Sequence, residues 1–99
     1  MGLEKTVAFF TVVLKFTDNA DLIEQARSAH GAYLKDQVAN GTVHIAGPFE
    51  DGTGGVLVAE TADQAELKQL LDGDPYVSQG VVVDTQIYPF KAALGVLAG

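Results

Sequence analysis

Residues 6–16, TVAFFTVVLKF, restrict the possible folds more than any other stretch of the chain. Their β-branched and aromatic content marks a strand. Alternation sends Ala8, Phe10, Val12, Leu14 and Phe16 to one side and Val7, Phe9, Thr11, Val13 and Lys15 to the other, so both faces are largely apolar. A small antiparallel sheet covered by helices on one side normally shows water a polar second side. With 99 residues there is one domain and no chain left for another layer, so the simplest second cover is a second copy of the protein. A homodimer through the sheet faces is therefore expected.

The remaining elements follow in short order. Residues 21–41 read as a helix: Asp18, Asn19 and Asp21 are N-cap candidates, Asp21 and Glu24 have capping-box spacing, and Asn40-Gly41 provides the stop. At about 3.6 residues per turn, Ile23, Ala26, His30, Tyr33 and Leu34 share one stripe, which sets a titratable ring among apolar neighbours. On the helix alone, a core histidine satisfied by a backbone carbonyl explains this stripe as readily as chemistry does. Gly31, in mid-helix, costs roughly 1 kcal/mol against alanine; it is either a tolerated surface glycine or a place where a backbone or ligand comes close.

A short strand over residues 42–46 closes at Gly47-Pro48, and the turn-rich residues 50–55 lead into a third strand over 56–60. Alternation turns His44 away from the side shared by Val43 and Ile45, as an edge or interface histidine. Thr61-Ala62-Asp63-Gln64 has the look of a capping box, followed by a helix with Ala62, Leu67, Leu70 and Leu71 on its inner face up to Gly73. Asp74-Pro75 opens a tight segment, and N-cap aspartate before a first-position proline explains the pair structurally without any chemistry. Residues 81–90, VVVDTQIYPF, form the last strand, with Pro89 at its end or at an unpaired edge position. Residues 1–99 thus make one domain, with a core of about 6–91 and a mildly apolar tail, 92–99, that docks on a partner subunit or frays. The order β-α-β-β-α-β is the split βαβ of an α+β, ferredoxin-like fold: a four-stranded antiparallel sheet with two helices on one face, and in a pair a dimeric α+β barrel.

Composition removes several functions. Six Lys plus Arg against thirteen Asp plus Glu give a net charge of −7, and no basic cluster exists to meet a phosphate backbone, so nucleic acid is not expected as a partner. No apolar run approaches the roughly 18 to 20 residues of a membrane span. Residues 1–5 lack the order of a signal peptide, which makes the cytoplasm the expected compartment. There is no cysteine, and the only histidines are His30 and His44, so no thiolate chemistry and no metal site are expected. Phosphate-loop, dinucleotide and nucleophile-elbow motifs are missing, and no cofactor is expected. Acid–base chemistry on a small-molecule ligand is the class that remains.

The residues Arg27-Ser28-Ala29-His30 with Tyr33-Leu34, then Gly41, Ala46-Gly47-Pro48, Gly54-Gly55, Asp74-Pro75-Tyr76-Val77 with Gly80, and Ile87-Tyr88-Pro89-Phe90-Lys91 together resemble the YCII-related (YciI-like) family of small dimeric ferredoxin-like proteins. The resemblance runs over nearly the whole chain. It implies a pocket with a dyad of His30 and Asp74, similar to that of relatives that remove chloride from a chlorinated hydroxymuconate, on a fold shared with muconolactone isomerases. In that reading His30 is the general base or acid and Asp74 fixes its tautomer. Tyr76 positions a carbonyl or carboxylate, Gly47 and Pro48 let backbone approach the ligand, and Tyr33 is a further ligand contact. Arg27 either pairs with a substrate carboxylate or is an ordinary solvated arginine. A mechanism with a second acid would draw on Tyr33, Tyr88 or Asp84. The expected function is a lyase or isomerase transferring a proton on an unsaturated carboxylate-type substrate; the alternative is a non-catalytic ligand-binding or oligomerisation module on the same fold.

Overall fold

In the computed structural model, which describes residues 7–98, the chain runs β1 (Ala8–Phe16), α1 (Ala20–Ala39), β2 (Val43–Pro48), β3 (Gly54–Thr61), α2 (Gln64–Asp72), α3 (Pro75–Ser78) and β4 (Val82–Phe90). All neighbouring strands are antiparallel, in the order β2-β3-β1-β4. This is the expected ferredoxin-like α+β arrangement, with the single turn of α3 added before the last strand. Thr6, predicted as the start of the first strand, and the residues before it lie outside the described residues.

β1 occupies the middle of the sheet. Phe10, Val12 and Leu14 are buried on its helix side against Val43, Leu57 and Ala59 of the neighbouring strands and Leu67, Leu70 and Leu71 of α2. Each such side chain contributes on the order of 1.5–3 kcal/mol by leaving water. Phe9, Thr11 and Val13 are only half-buried on the opposite face. β4 lies at one edge, where Pro89 takes a place opposite Phe10 without needing an N–H on its outer side.

The helix caps refine the sequence reading. Asn19, not Asp21, caps α1, its side chain accepting from the Asp21 and Leu22 N–H groups at 3.1 and 3.2 Å. Glu24 is engaged instead with Arg27. At the far end Gly41 adopts φ +84°, the left-handed geometry that stops the helix. Asp63, two residues after the expected Thr61, caps α2 by accepting from the Glu66 N–H at 2.9 Å, and Ala62 lies exposed outside the helix. Gly47 and Pro48 are not a closing loop but the last residues of β2, paired with Val56 and Gly55.

β2 also departs from simple alternation. Its register on β3 shifts between Val43 and Ile45, so Val43 lies opposite Ala59 in the core while Ile45 lies opposite Val58 and is exposed. The extra residue of this bulge is His44. Val43 and Ile45 therefore do not share a side, because the inserted residue resets the phase of the strand.

The two long helices sit differently on the sheet. α2 packs its leucines directly onto β1 and β3, whereas α1 is held at one end by a separate cluster of Ala26, Tyr76 and Val81, with Phe16, Leu22 and Ile23 around it. Between the rest of α1 and the β2–β3 hairpin a gap remains. The described residues after β4, 91–98, form neither helix nor strand, and Leu94 and Val96 there are exposed.

Candidate functional site

The gap under α1 is a cavity of about 700 Å³. Leu14 and Phe16 of β1, Ile23, Leu34 and Val38 of α1, and Gly47 and Pro48 of β2 give it an apolar lining, while Arg27, His30 and Tyr76 bring polar groups to its wall. Such a surface with a few convergent polar groups is what a small-molecule site needs.

His30 comes from the stripe of α1 that faces the cavity, and Asp74 from the cap of α3. Their Nδ1 and Oδ1 atoms are 2.7 Å apart across 44 residues of sequence. The histidine side chain keeps 18% of its surface exposed and the aspartate 2%. The two explanations of Asp74, structural cap and histidine partner, are both correct: the same Oδ1 accepts the Tyr76 N–H at 2.9 Å. Its Oδ2 is buried with no protein partner among the described residues. Desolvation of such a carboxylate makes each bond it does form count for more. Since a carboxylate only accepts, Nδ1 carries the hydrogen and Nε2 is the basic nitrogen. Tyr76 stacks on the imidazole with ring centroids 3.6 Å apart and planes within 4° of parallel, fixing the ring plane from the side.

The other predicted residues divide. Gly47, Pro48, Arg27 and Tyr76 line the cavity with His30. Arg27 is 64% exposed and pairs with Glu24 at 2.9 Å, so it sits at the mouth. Tyr33 is not among the lining residues: its hydroxyl donates to the Leu70 carbonyl at 2.8 Å. The ring lies close against Gly73, where any Cβ would crowd it. This ties α1 to α2. Burial, and then the nearby Asp74 carboxylate, push the Tyr33 pKa up. Tyr88, whose hydroxyl donates to the Gln86 side chain, and the exposed Asp84 are not on the cavity wall either, so none of the three candidate second acids reaches it.

A second histidine pair stands outside the cavity. His44 Nε2 lies 2.7 Å from Glu60 Oε1, beside the ring of Phe9, which in turn neighbours Phe90, on the side of the sheet away from the helices. Nothing in the sequence marks Glu60 as the partner of His44, because the bulge that brings the two together leaves no trace in residue spacing. Lys35, not among the expected site residues, also lines the cavity; it follows Arg27 and Gly31 at steps of four, a spacing visible in the sequence. Among the described residues no group of three His, Cys, Asp or Glu side chains converges to hold a metal, and no helix is long and apolar enough to cross a membrane.

A ferredoxin-like α+β chain with a histidine on its first helix, held by a capping aspartate at the wall of an apolar cavity, defines a class of small pocket proteins. Within that class the sequence matches the YCII-related domain over residues 8–91, and the chain belongs to that family. Among solved structures it is similar to 5-chloro-2-hydroxyhydroquinone dehydrochlorinase (TftG) from Burkholderia phenoliruptrix AC1100, in complex with 2,5-dihydroxybenzoquinone. The TM-score is 0.74 at 22% identity, covering 84% of this chain and 93% of that one. It is also similar to Rv0793 from Mycobacterium tuberculosis, with a TM-score of 0.57 at 10% identity over 92% of this chain and 99% of that one. Comparison with curated proteins returns no match.

Proposed function

We propose that this protein is a small-molecule lyase or isomerase in which His30 moves a proton on an unsaturated, carboxylate-type substrate and Asp74 holds the ring. The observation that carries the proposal is the 2.7 Å bond from His30 to a buried Asp74, with the imidazole on the wall of the cavity. With Nδ1–H donated to Asp74, Nε2 takes an acidic proton from the substrate. The electron pair left behind enters the conjugated system. In an elimination it expels a leaving anion; in an isomerisation the imidazolium returns the proton to a different carbon. Asp74 stabilises the imidazolium between the two events, as the carboxylate of any histidine dyad does. Tyr76 presents its hydroxyl to a carbonyl or carboxylate, Gly47 and Pro48 form a close backbone wall, and Arg27 meets an acidic group at the mouth. The dehydrochlorinase activity of TftG supports the elimination branch and makes chlorinated hydroxyhydroquinones the first compounds to try.

The active form we propose is a homodimer joined through the open sheet faces, since Ile45, Tyr88 and Phe90 otherwise stand in water beside the half-buried Phe9 and Val13. Sedimentation equilibrium tests this: a stable monomer at micromolar concentration contradicts it.

The activity test is release of chloride from 5-chloro-2-hydroxyhydroquinone and from chlorinated unsaturated carboxylates, followed by ion chromatography, with absorbance following double-bond migration in the unchlorinated carboxylates. The parent should turn over at least one compound, and His30→Ala should lose about 10²- to 10⁴-fold. Compounds that bind the parent with none converted would assign the chain to the non-catalytic, ligand-binding alternative.

A further inference from the structure

We propose that the cavity selects an anionic ligand, holding its acidic group between Arg27 and Lys35 while its flat body rests on the α1 backbone at Gly31. The inference rests on the functional reading above for the reaction, but not for the binding it describes.

Charge is the first argument. The chain carries −7 overall, with thirteen acidic residues against six basic ones, yet among the described residues the cavity wall holds Arg27 and Lys35 and no aspartate or glutamate. The acidic residues of the β2–β3 turn, Glu50 and Asp51, stay off this wall. The Asp51 carboxylate is turned back on its own loop, accepting the Thr53 N–H at 3.0 Å and the Thr53 hydroxyl at 2.7 Å. Two cations, Arg27 and Lys35, thus stand where a ligand would enter a negative molecule, and they offset part of the repulsion an anion would otherwise meet.

Geometry is the second. Arg27, Gly31 and Lys35 follow at steps of four, about 6 Å of helix rise each, so they form one line along the cavity side of α1. Arg27 is held only by the exposed Glu24, a pair weak enough to be exchanged for a ligand carboxylate. Lys35 makes no ion pair among the described residues.

Gly31 is the third. Glycine in a helix interior is less favourable than alanine, and something should account for it. Packing does not: a Cβ at this position would meet no atom within 4 Å, and the backbone does not have a positive φ. The position opens onto the cavity, next to His30 and between the two cations. A bare backbone there lets a planar ligand lie close to the helix, within reach of the imidazole.

The test is a ¹⁵N NMR titration of the full chain with 2,5-dihydroxybenzoate and, separately, with its neutral amide. The carboxylate should bind about tenfold tighter, with the largest amide shifts at Gly31 and its neighbours on α1. Arg27→Gln and Lys35→Gln should each shrink that preference. Gly31→Ala should raise Tm, because the helix gains and nothing clashes, while weakening the carboxylate about fivefold or more. Because the titration reads binding alone, a parent that prefers the carboxylate while converting no substrate separates failure of the catalytic reading from failure of this inference. Equal affinity for acid and amide, no binding of either, or undiminished binding by Gly31→Ala would overturn the inference.

Discussion

The molecule contains two histidine–carboxylate pairs of the same length, 2.7 Å, and they differ in everything except that length. Asp74 is 2% exposed and its partner His30 is stacked by Tyr76, whereas in the single protomer His44 and Glu60 keep 25% and 31% of their side-chain surfaces exposed on the sheet face away from the helices. Asp74 is fixed by the cap it forms on α3; the Glu60 carboxylate makes no second hydrogen bond among the described residues. The contrast teaches that a short distance does not define a site. Burial of the acid, immobilisation of the ring and a cavity beside the free nitrogen are what set the first pair apart.

The largest expected effect separates the pairs by turnover. On any substrate found, His30→Ala should lose about 10²- to 10⁴-fold in kcat/KM, and His44→Ala should stay within about twofold of the parent. Asp74→Asn should lose less than His30→Ala, because an amide oxygen still accepts the Nδ1–H but does not stabilise imidazolium. Equal losses at His30 and His44 would break the comparison. Stability should divide the acids in the same way. Asp74→Ala removes a cap and strands a buried ring donor, about 2 to 3 kcal/mol in urea unfolding, while Glu60→Ala should cost under about 1 kcal/mol.

Smaller effects sharpen the contrast between buried and exposed titration. Tyr33→Phe deletes the bond to Leu70, about 1 kcal/mol at neutral pH. The folded pKa of Tyr33 is raised, first by burial and then by Asp74. Its contribution is therefore complete below the unfolded value of about 10 and is lost as pH rises through the folded one. Thermal unfolding above that pH should be less steeply pH-dependent in Tyr33→Phe. Asp51 has the opposite sign. The Thr53 N–H and then the Thr53 hydroxyl lower its pKa, so its contribution is present above the unfolded value of about 3.9 and fades as pH falls through the folded one. Asp51→Asn should flatten the acid limb slightly, the smallest change of the set.

Most of the frame was legible because it depends on local chemistry. The two apolar faces of β1, the left-handed Gly41 and the Asp74-Pro75 turn each follow from a few adjacent residues. The His30–Asp74 contact was reachable only through a family resemblance, since nothing local links residues 44 apart. What escaped has a common cause in tertiary context. One inserted residue at His44 changed which side of the strand faces the core. Tyr33 lay on the correct stripe of α1, but α2 supplied a carbonyl within reach and took its hydroxyl. The N-cap of α1 was narrowed to three candidates, and of these Asn19 holds the place because it directly precedes Ala20 while Asp21 falls inside the first turn.

The oxygen shared by His30 and the Tyr76 amide makes the orientation of the imidazole a matter of local unfolding. α3 is only four residues long, and if its turn opens, the cap and the ring anchor are released together. The lifetime of the aligned histidine is then set by the opening rate of one short turn rather than by global unfolding of the domain. Hydrogen exchange at the Tyr76 amide reports on it directly: a protection factor measured at one backbone proton gives the fraction of molecules whose imidazole is in register.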